Sequence, residues 1–113
     1  MILIYGIPNC GSVKKALAWA EENGVEHAFV DLRKTPIDRT VLQGWVKAVG
    51  LAKLVNKRGA TWRKISESER AELEADDERM LEKLLEMPAL IKRPVTVYPS
   101  GEITVGVIES NLR

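Results

Sequence analysis

The sequence is poor in cysteine, with Cys10 as its single thiol among 113 residues. One thiol cannot form an internal disulfide, which argues against a secreted disulfide scaffold and favours a reducing cytoplasm. The chain also lacks any run of about 18 apolar residues, so neither a transmembrane helix nor a membrane partner is expected. Its first residues have no basic segment and no long apolar core, and they are typical of a strand rather than a signal peptide.

Metal ligands are equally scarce. A zinc site needs several cysteine or histidine ligands, and His27 is the only histidine, so no metal site is predicted. His27 lies in a predicted strand, where packing or surface exposure explains it better than a role as a base. A cysteine–histidine pair remains an alternative that the sequence does not exclude.

Charge is balanced overall but not along the chain. Net charge is +1, yet residues 66–87 hold nine acidic and three basic side chains, which leaves +7 on the remainder. We interpret the acidic run as a solvated helix face, with an interaction surface as the alternative. The basic residues form no stripe interleaved with aromatics, so nucleic-acid binding is not expected.

The first third of the chain predicts a βαβ unit. Residues 2–6 and 26–32 are apolar, β-rich runs, and the apolar residues between them recur with helical spacing. Gly24 is placed to end the helix. A strand, a helix and a strand in this order predict parallel strands joined by a right-handed crossover.

The middle of the chain, about residues 38–87, has helical rather than strand patterning. Asp38 can cap the first helix, and Ser66 with Glu69 matches a capping box. A loop is expected between these helices, over residues 56–64.

The last part of the chain returns to strand patterning. Residues 94–105 predict a hairpin that turns at 99–101, and residues 107–113 predict a short helix. The whole order predicts an α/β fold, a four-stranded mixed sheet flanked by helices, with the middle segment as a helical insert. No linker or repeat interrupts residues 1–113, so one domain and a monomer are the expectation.

Cys10 lies where the first strand has ended and the first helix begins. Unpaired backbone N–H groups and the helix dipole favour a thiolate at a helix N-terminus and also bind anions there. Gly11 allows close approach of a ligand to the backbone, and Ser12 adds a hydroxyl donor. A small buried cysteine without function is the alternative.

Three stretches together carry a family resemblance: "YGIPNCGSVKKALAWAEENGVEHAFVDLRK", "LVNKRGATWRK" and "ALIKRPVTV" with the later "VGV". They resemble the ArsC-like family of arsenate-reductase-related bacterial proteins, and in particular its YffB/Spx-like branch. The resemblance extends from residue 2 to about residue 108. It implies a thioredoxin-like fold with a helical insert, in agreement with the patterning.

The resemblance also implies roles for individual residues. Cys10 matches the nucleophilic cysteine of the family, and Arg93 matches its anion-binding arginine. Pro94 matches the cis-proline beside the active cysteine in thioredoxin-like folds. The expected substrate-binding residues are Asn9, Gly11, Ser12, Arg58 and Pro94.

Two departures from the family pattern narrow the function. Arsenate reductases of this family carry a further arginine beyond the "RP" hairpin, whereas this chain has none before Arg113, which counts against arsenate as the substrate. Spx-type regulators often carry a Cys-x-x-Cys switch, whereas here the fourth position is Val13. An intramolecular disulfide switch is therefore excluded.

These observations favour a monothiol, glutathione-dependent thiol–disulfide oxidoreductase with no tightly bound cofactor. An outside thiol, either glutathione or a glutaredoxin-like protein, would have to resolve any adduct on Cys10. The alternative is a non-enzymatic, Spx-like regulator that binds an RNA polymerase subunit.

Overall fold

A computed structural model of the protein describes residues 1–106. The chain divides into two compact units, one formed by Met1–Pro36 with the chain from Arg93 onward, the other by Ile37–Lys92. We call them the sheet unit and the helical insert. The C-terminal helix expected at residues 107–113 lies outside the described residues, and the single-domain organisation stays a prediction.

The sheet unit contains the predicted four-stranded mixed sheet, with strand order β2-β1-β3-β4. β1 and β2 are parallel, whereas β1 with β3 and β3 with β4 are antiparallel, which confirms the βαβ unit and the hairpin. Its elements are β1 (Ile2–Gly6), α1 (Gly11–Glu22), β2 (His27–Asp31), β3 (Val95–Val97) and β4 (Ile103–Val105).

One face of this sheet is covered by α1. The alternating buried residues of β1 point to the same side, where Ile2 and Ile4 pack with Ala16 and Ala20 of the helix. Small alanine side chains allow the helix backbone to lie close to the sheet. The predicted glycine at the end of α1 is confirmed: Gly24 has φ +62° and its N–H donates to the carbonyl of Glu21.

The helical insert confirms the expectation for the middle of the chain. Asp38 caps its first helix by accepting the N–H of Val41 at 2.9 Å, and Ser66 caps a later one by accepting the N–H of Glu69 at 3.2 Å. The buried residues include Leu42, Trp45, Leu54, Leu84 and Leu90. The helices are α2 (Arg39–Val49), α3 (Leu51–Leu54), α4 (Ala60–Lys64), α5 (Glu67–Ala75) and α6 (Asp77–Glu86), followed by a 3-10 turn at Pro88–Leu90.

The expectation of a continuous loop over residues 56–64 is wrong for its second half, where α4 forms. This helix has five residues, which is too short to show a repeating apolar pattern. Trp62 explains why it forms, because its side chain is only 5% exposed and anchors the turn in the core of the insert.

Among the residues that the structure describes, no helix is long and apolar enough to cross a membrane.

Candidate active site

Cys10 lies at the point predicted for it, between the end of β1 and the first turn of α1. A tight turn closes with the N–H of Cys10 donating to the carbonyl of Ile7 at 3.3 Å. Cys10 is then the N-cap of α1, with extended backbone angles, and its carbonyl accepts the N–H of Lys14 at 3.0 Å. The thiol is therefore held at the positive end of a twelve-residue helix.

Surrounding groups lower the pKa of the Cys10 thiol below its ordinary value. Partial burial is the largest single influence and raises this pKa, because it disfavours the charged sulfur. It is outweighed by donors that act on the sulfur: the backbone N–H of Val13, the guanidinium of Arg93 and the backbone N–H of Ser12. The positive charge of Arg93 contributes in the same direction. The site thus stabilises a thiolate.

The strand order explains why Arg93 is close to Cys10. β1 and β3 are antiparallel, and Tyr5, near the end of β1, pairs with Val95 at the start of β3. The residues that follow β1 and those that precede β3 therefore lie at the same edge of the sheet. Arg93 precedes β3 by two positions, and its bond to the fully buried Pro94 is cis, as the resemblance implied.

The other predicted site residues divide between the two units. Asn9, Gly11 and Ser12 are exposed and adjacent to Cys10 in the chain, so the structure brings them to the same loop. Arg58 is exposed in the helical insert, where its N–H donates to the side chain of Asn56 at 3.2 Å. The substrate-binding roles of these residues stay predictions.

His27 has a local structural role. It is half-buried in β2, and its Nδ1 lies 2.8 Å from the carbonyl oxygen of Val25. This contact agrees with the expectation of a packing residue.

Two residues that contribute to the site were not predicted to do so. In the sequence Val13 was noted as the residue at the fourth position of the Cys-x-x-Cys pattern and as an apolar residue of the predicted helix. As the third helical residue, however, it has a backbone N–H near the N-cap. Gly6 was identified only as the end of a strand. A Cβ built on Gly6 would lie 2.4 Å from Cγ2 of Val13, so a glycine is needed for this approach of α1 to β1.

Comparison with known proteins places this chain in a family. The chain matches the sequence model of the ArsC family over residues 5–113. An arsenate reductase of Rhizobium meliloti is 30% identical over 102 residues, which cover 88% of this chain and 71% of that protein. The solved structure of the YFFB protein superposes with a TM-score of 0.84 at 36% identity and covers 94% of this chain and 90% of that chain.

A more distant relative is named as a regulator and not as a reductase. The global transcriptional regulator Spx of Listeria innocua is 23% identical over 118 residues, which cover 100% of this chain and 85% of that protein. The comparisons confirm the ArsC-like resemblance, with neighbours in its YffB/Spx-like branch, and the thioredoxin-like fold.

Proposed function

Because the chain belongs to the ArsC family, a family of thiol-based reductases and their relatives, we propose that it is a monothiol, glutathione-dependent thiol–disulfide oxidoreductase of the cytoplasm. Cys10 is the proposed nucleophile and Arg93 the proposed group that stabilises its thiolate. The observation that carries the proposal is the position of Cys10 as the N-cap of α1, at the same edge of the sheet as Arg93. Arg93 and the first turn of α1 lower the pKa of the Cys10 thiol against the effect of burial. A thiolate, and not a thiol, is the species that attacks sulfur.

The proposed reaction needs one protein thiol and one outside thiol, and its substrate is a mixed disulfide with glutathione. The Cys10 thiolate attacks the glutathione sulfur of a mixed disulfide; a Cys10–glutathione disulfide forms, and the substrate leaves as a thiolate that takes a proton from water. A second glutathione thiolate then attacks the glutathione sulfur of that adduct. Oxidised glutathione leaves and the Cys10 thiolate is regenerated, so the mixed disulfide is reduced to the substrate thiol while one glutathione thiol is oxidised into a disulfide.

The choice of an outside thiol follows from the cysteine count. Cys10 is the only cysteine, so no second protein thiol can resolve the adduct within one chain. Glutathione also carries carboxylates, and a guanidinium offers a planar pair of donors to a carboxylate. A glutaredoxin-like protein as the thiol donor is the variant of the same scheme.

The proposal is tested by turnover of the mixed disulfide between glutathione and 2-mercaptoethanol, with glutathione as the reductant. We expect wild-type protein to turn over this substrate. When the reductant glutathione is omitted, we expect the mass of the protein to increase by one glutathione on Cys10. Cys10→Ser should abolish both signals, and Arg93→Ala should slow turnover.

Arg33→Ala is the matched control for the loss of an arginine. Arg33 belongs to the same unit, but it is exposed and its Nε lies 3.9 Å from the carboxylate of Asp31. This variant should turn over like wild type. Turnover that persists in Cys10→Ser, or a Cys10 thiol that glutathione disulfide does not modify, would contradict the proposal.

A second candidate function rests on the similarity to Spx. In this alternative the chain is a regulator that binds an RNA polymerase subunit and needs no redox chemistry. A purified polymerase subunit that binds Cys10→Ser as tightly as wild type, combined with no glutathione turnover, would favour the regulator over the reductase.

A further inference from the structure

Most acidic side chains of residues 66–87 form ion pairs within the helical insert. Arg79 binds one carboxylate of α5, Lys83 bridges α5 and α6, and Arg39 of α2 reaches two carboxylates of α6. Asp76 caps α6 through the N–H groups of Glu78 and Arg79. The acidic residues with an ion pair are Glu69, Glu72, Glu74, Glu78, Glu82 and Glu86.

Asp77 is different from these residues. Within residues 1–106, no ion pair is made by Asp77 or by Glu67. Asp77 lies at the first position of α6, is exposed, and is one of the residues that line a cavity of about 260 Å³.

The cavity lies between α3, α5 and α6 and has an apolar floor. Val55, Leu73 and Met80 form this floor and are 6%, 5% and 4% exposed, respectively. Leu51 and Ala52 of α3 add an apolar wall. Methionine is flexible and polarisable, so this floor can adapt to the shape of an apolar group.

Two acidic residues and one basic residue also line the cavity, namely Glu74, Asp77 and Lys57. Lys57 is held by Glu74, with Nζ at 3.2 Å from the carboxylate, and the same ammonium lies 6.0 Å from the ring centroid of Trp62. The ammonium of Lys57 is thus paired with a carboxylate, whereas the carboxylate of Asp77 forms no ion pair with the described residues. The cavity therefore favours a cationic group over an anionic one.

We propose that this cavity, lined by Leu51, Ala52, Val55, Leu73, Asp77 and Met80, docks a basic-apolar segment of a partner protein. One apolar side chain enters the cavity, and a neighbouring lysine or arginine lies beside Asp77. The cavity is smaller than the roughly 300–1,000 Å³ of sites for drug-sized ligands, so it suits a single side chain. By sequence, residues 66–87 keep a net charge of −6, which adds a local attraction for a basic segment.

This docking site does not depend on the proposed function. It uses none of the residues at Cys10, so Cys10→Ser should bind the partner segment like wild type. If the wild-type protein did not bind the partner segment, that result would count against the docking site alone. If it did not turn over the glutathione mixed disulfide, that result would count against the reductase alone.

The probe is the capped tripeptide acetyl-Lys-Leu-Lys-amide, titrated into full-length ¹⁵N-labelled protein at low ionic strength. We expect saturable shifts of the amide signals of residues 51–57 and 73–80. Acetyl-Lys-Ser-Lys-amide, which lacks the apolar side chain, and acetyl-Glu-Leu-Glu-amide, which reverses the charge, should bind more weakly. Equal binding of either control peptide would overturn the proposal.

Two variants test the two parts of the site. Asp77→Asn should weaken binding by about twofold to fivefold, as expected for an exposed charge pair, while Glu86→Gln, in the same helix but outside the cavity, should not. Ala52→Phe should block the cavity, and Ala48→Phe, on the exposed side of α2, should bind like wild type. Circular dichroism identifies any variant that fails to fold. Unchanged binding in folded Ala52→Phe protein would overturn the proposal.

Discussion

Val13 connects the packing of the sheet unit with the chemistry of Cys10. Its side chain is fully buried against Gly6 at the end of β1, and its backbone N–H helps to lower the pKa of the Cys10 thiol. The position of that N–H therefore depends on how closely the first turn of α1 approaches the strand. The close approach of α1 to β1 therefore requires a glycine at position 6, and it also positions the N–H that favours the Cys10 thiolate.

Gly6→Ala should destabilise the protein by about 1–3 kcal/mol, because the added Cβ would overlap the side chain of Val13. Urea unfolding measures this change. Gly44→Ala is the matched control: Gly44 lies inside α2, and a Cβ there meets no atom within 4 Å. It should stabilise by about 0.5–1 kcal/mol, since alanine favours a helix. Two changes of the same sign would contradict the proposed contact.

Arg93→Ala should raise the pKa of the Cys10 thiol, because the guanidinium and its charge both favour the thiolate. The pH dependence of the alkylation rate by iodoacetamide measures this pKa. Arg93→Lys keeps the charge but loses the planar pair of donors, so its pKa should lie between those of wild type and Arg93→Ala. If the alkylation profile of Arg93→Ala were the same as that of wild type, Arg93 would not be a cause of the lowered pKa of the Cys10 thiol.

At the scale of elements, capping residues set where the helices of the insert begin. Asp38→Ala should destabilise by about 1 kcal/mol, because it removes the acceptor of the Val41 N–H at the start of α2. Urea unfolding again provides the measurement. Thr40→Ala, an exposed change in the same turn, should alter stability by less than about 0.5 kcal/mol. Equal losses in both variants would show that Asp38 is not the cap that matters.

The elements that could be predicted are those with a repeating pattern or a recognisable cap. The apolar spacing in α2 and α6, with Asp38 at a boundary, predicted helices that the structure contains. α4 could not be predicted, because five residues hold too little pattern and the helix depends on the burial of Trp62. The position of Cys10 followed from a strand and a helix that meet, whereas Arg93 needed the family resemblance. Cys10 and Arg93 are far apart in the sequence, and the pairing of β1 with β3 brings them to the same edge of the sheet.

At the scale of the whole molecule, the uneven charge belongs entirely to one unit. Counted by sequence over residues 1–36 and 93–113, the sheet unit holds six basic and six acidic residues. The insert therefore holds both the acidic segment of −6 and the basic remainder of +7. The proposed thiol chemistry thus belongs to a unit without net charge, while the proposed docking of a basic segment belongs to the insert.

The lowered pKa of Cys10 should also make the stability of the whole chain depend on pH. In the unfolded chain the thiol titrates near its ordinary pKa of about 8.5, so between the lower folded pKa and that value the unfolded state binds more protons. Stability therefore rises with pH across this interval, is fully present above about pH 8.5, and is lost as pH falls through the folded pKa. Burial raises the pKa of Tyr98, so measurements should stop near pH 9, below its titration. We expect the urea midpoint of wild type, relative to Cys10→Ser, to increase from pH 6 to pH 9; parallel curves would mean that folding does not stabilise the thiolate.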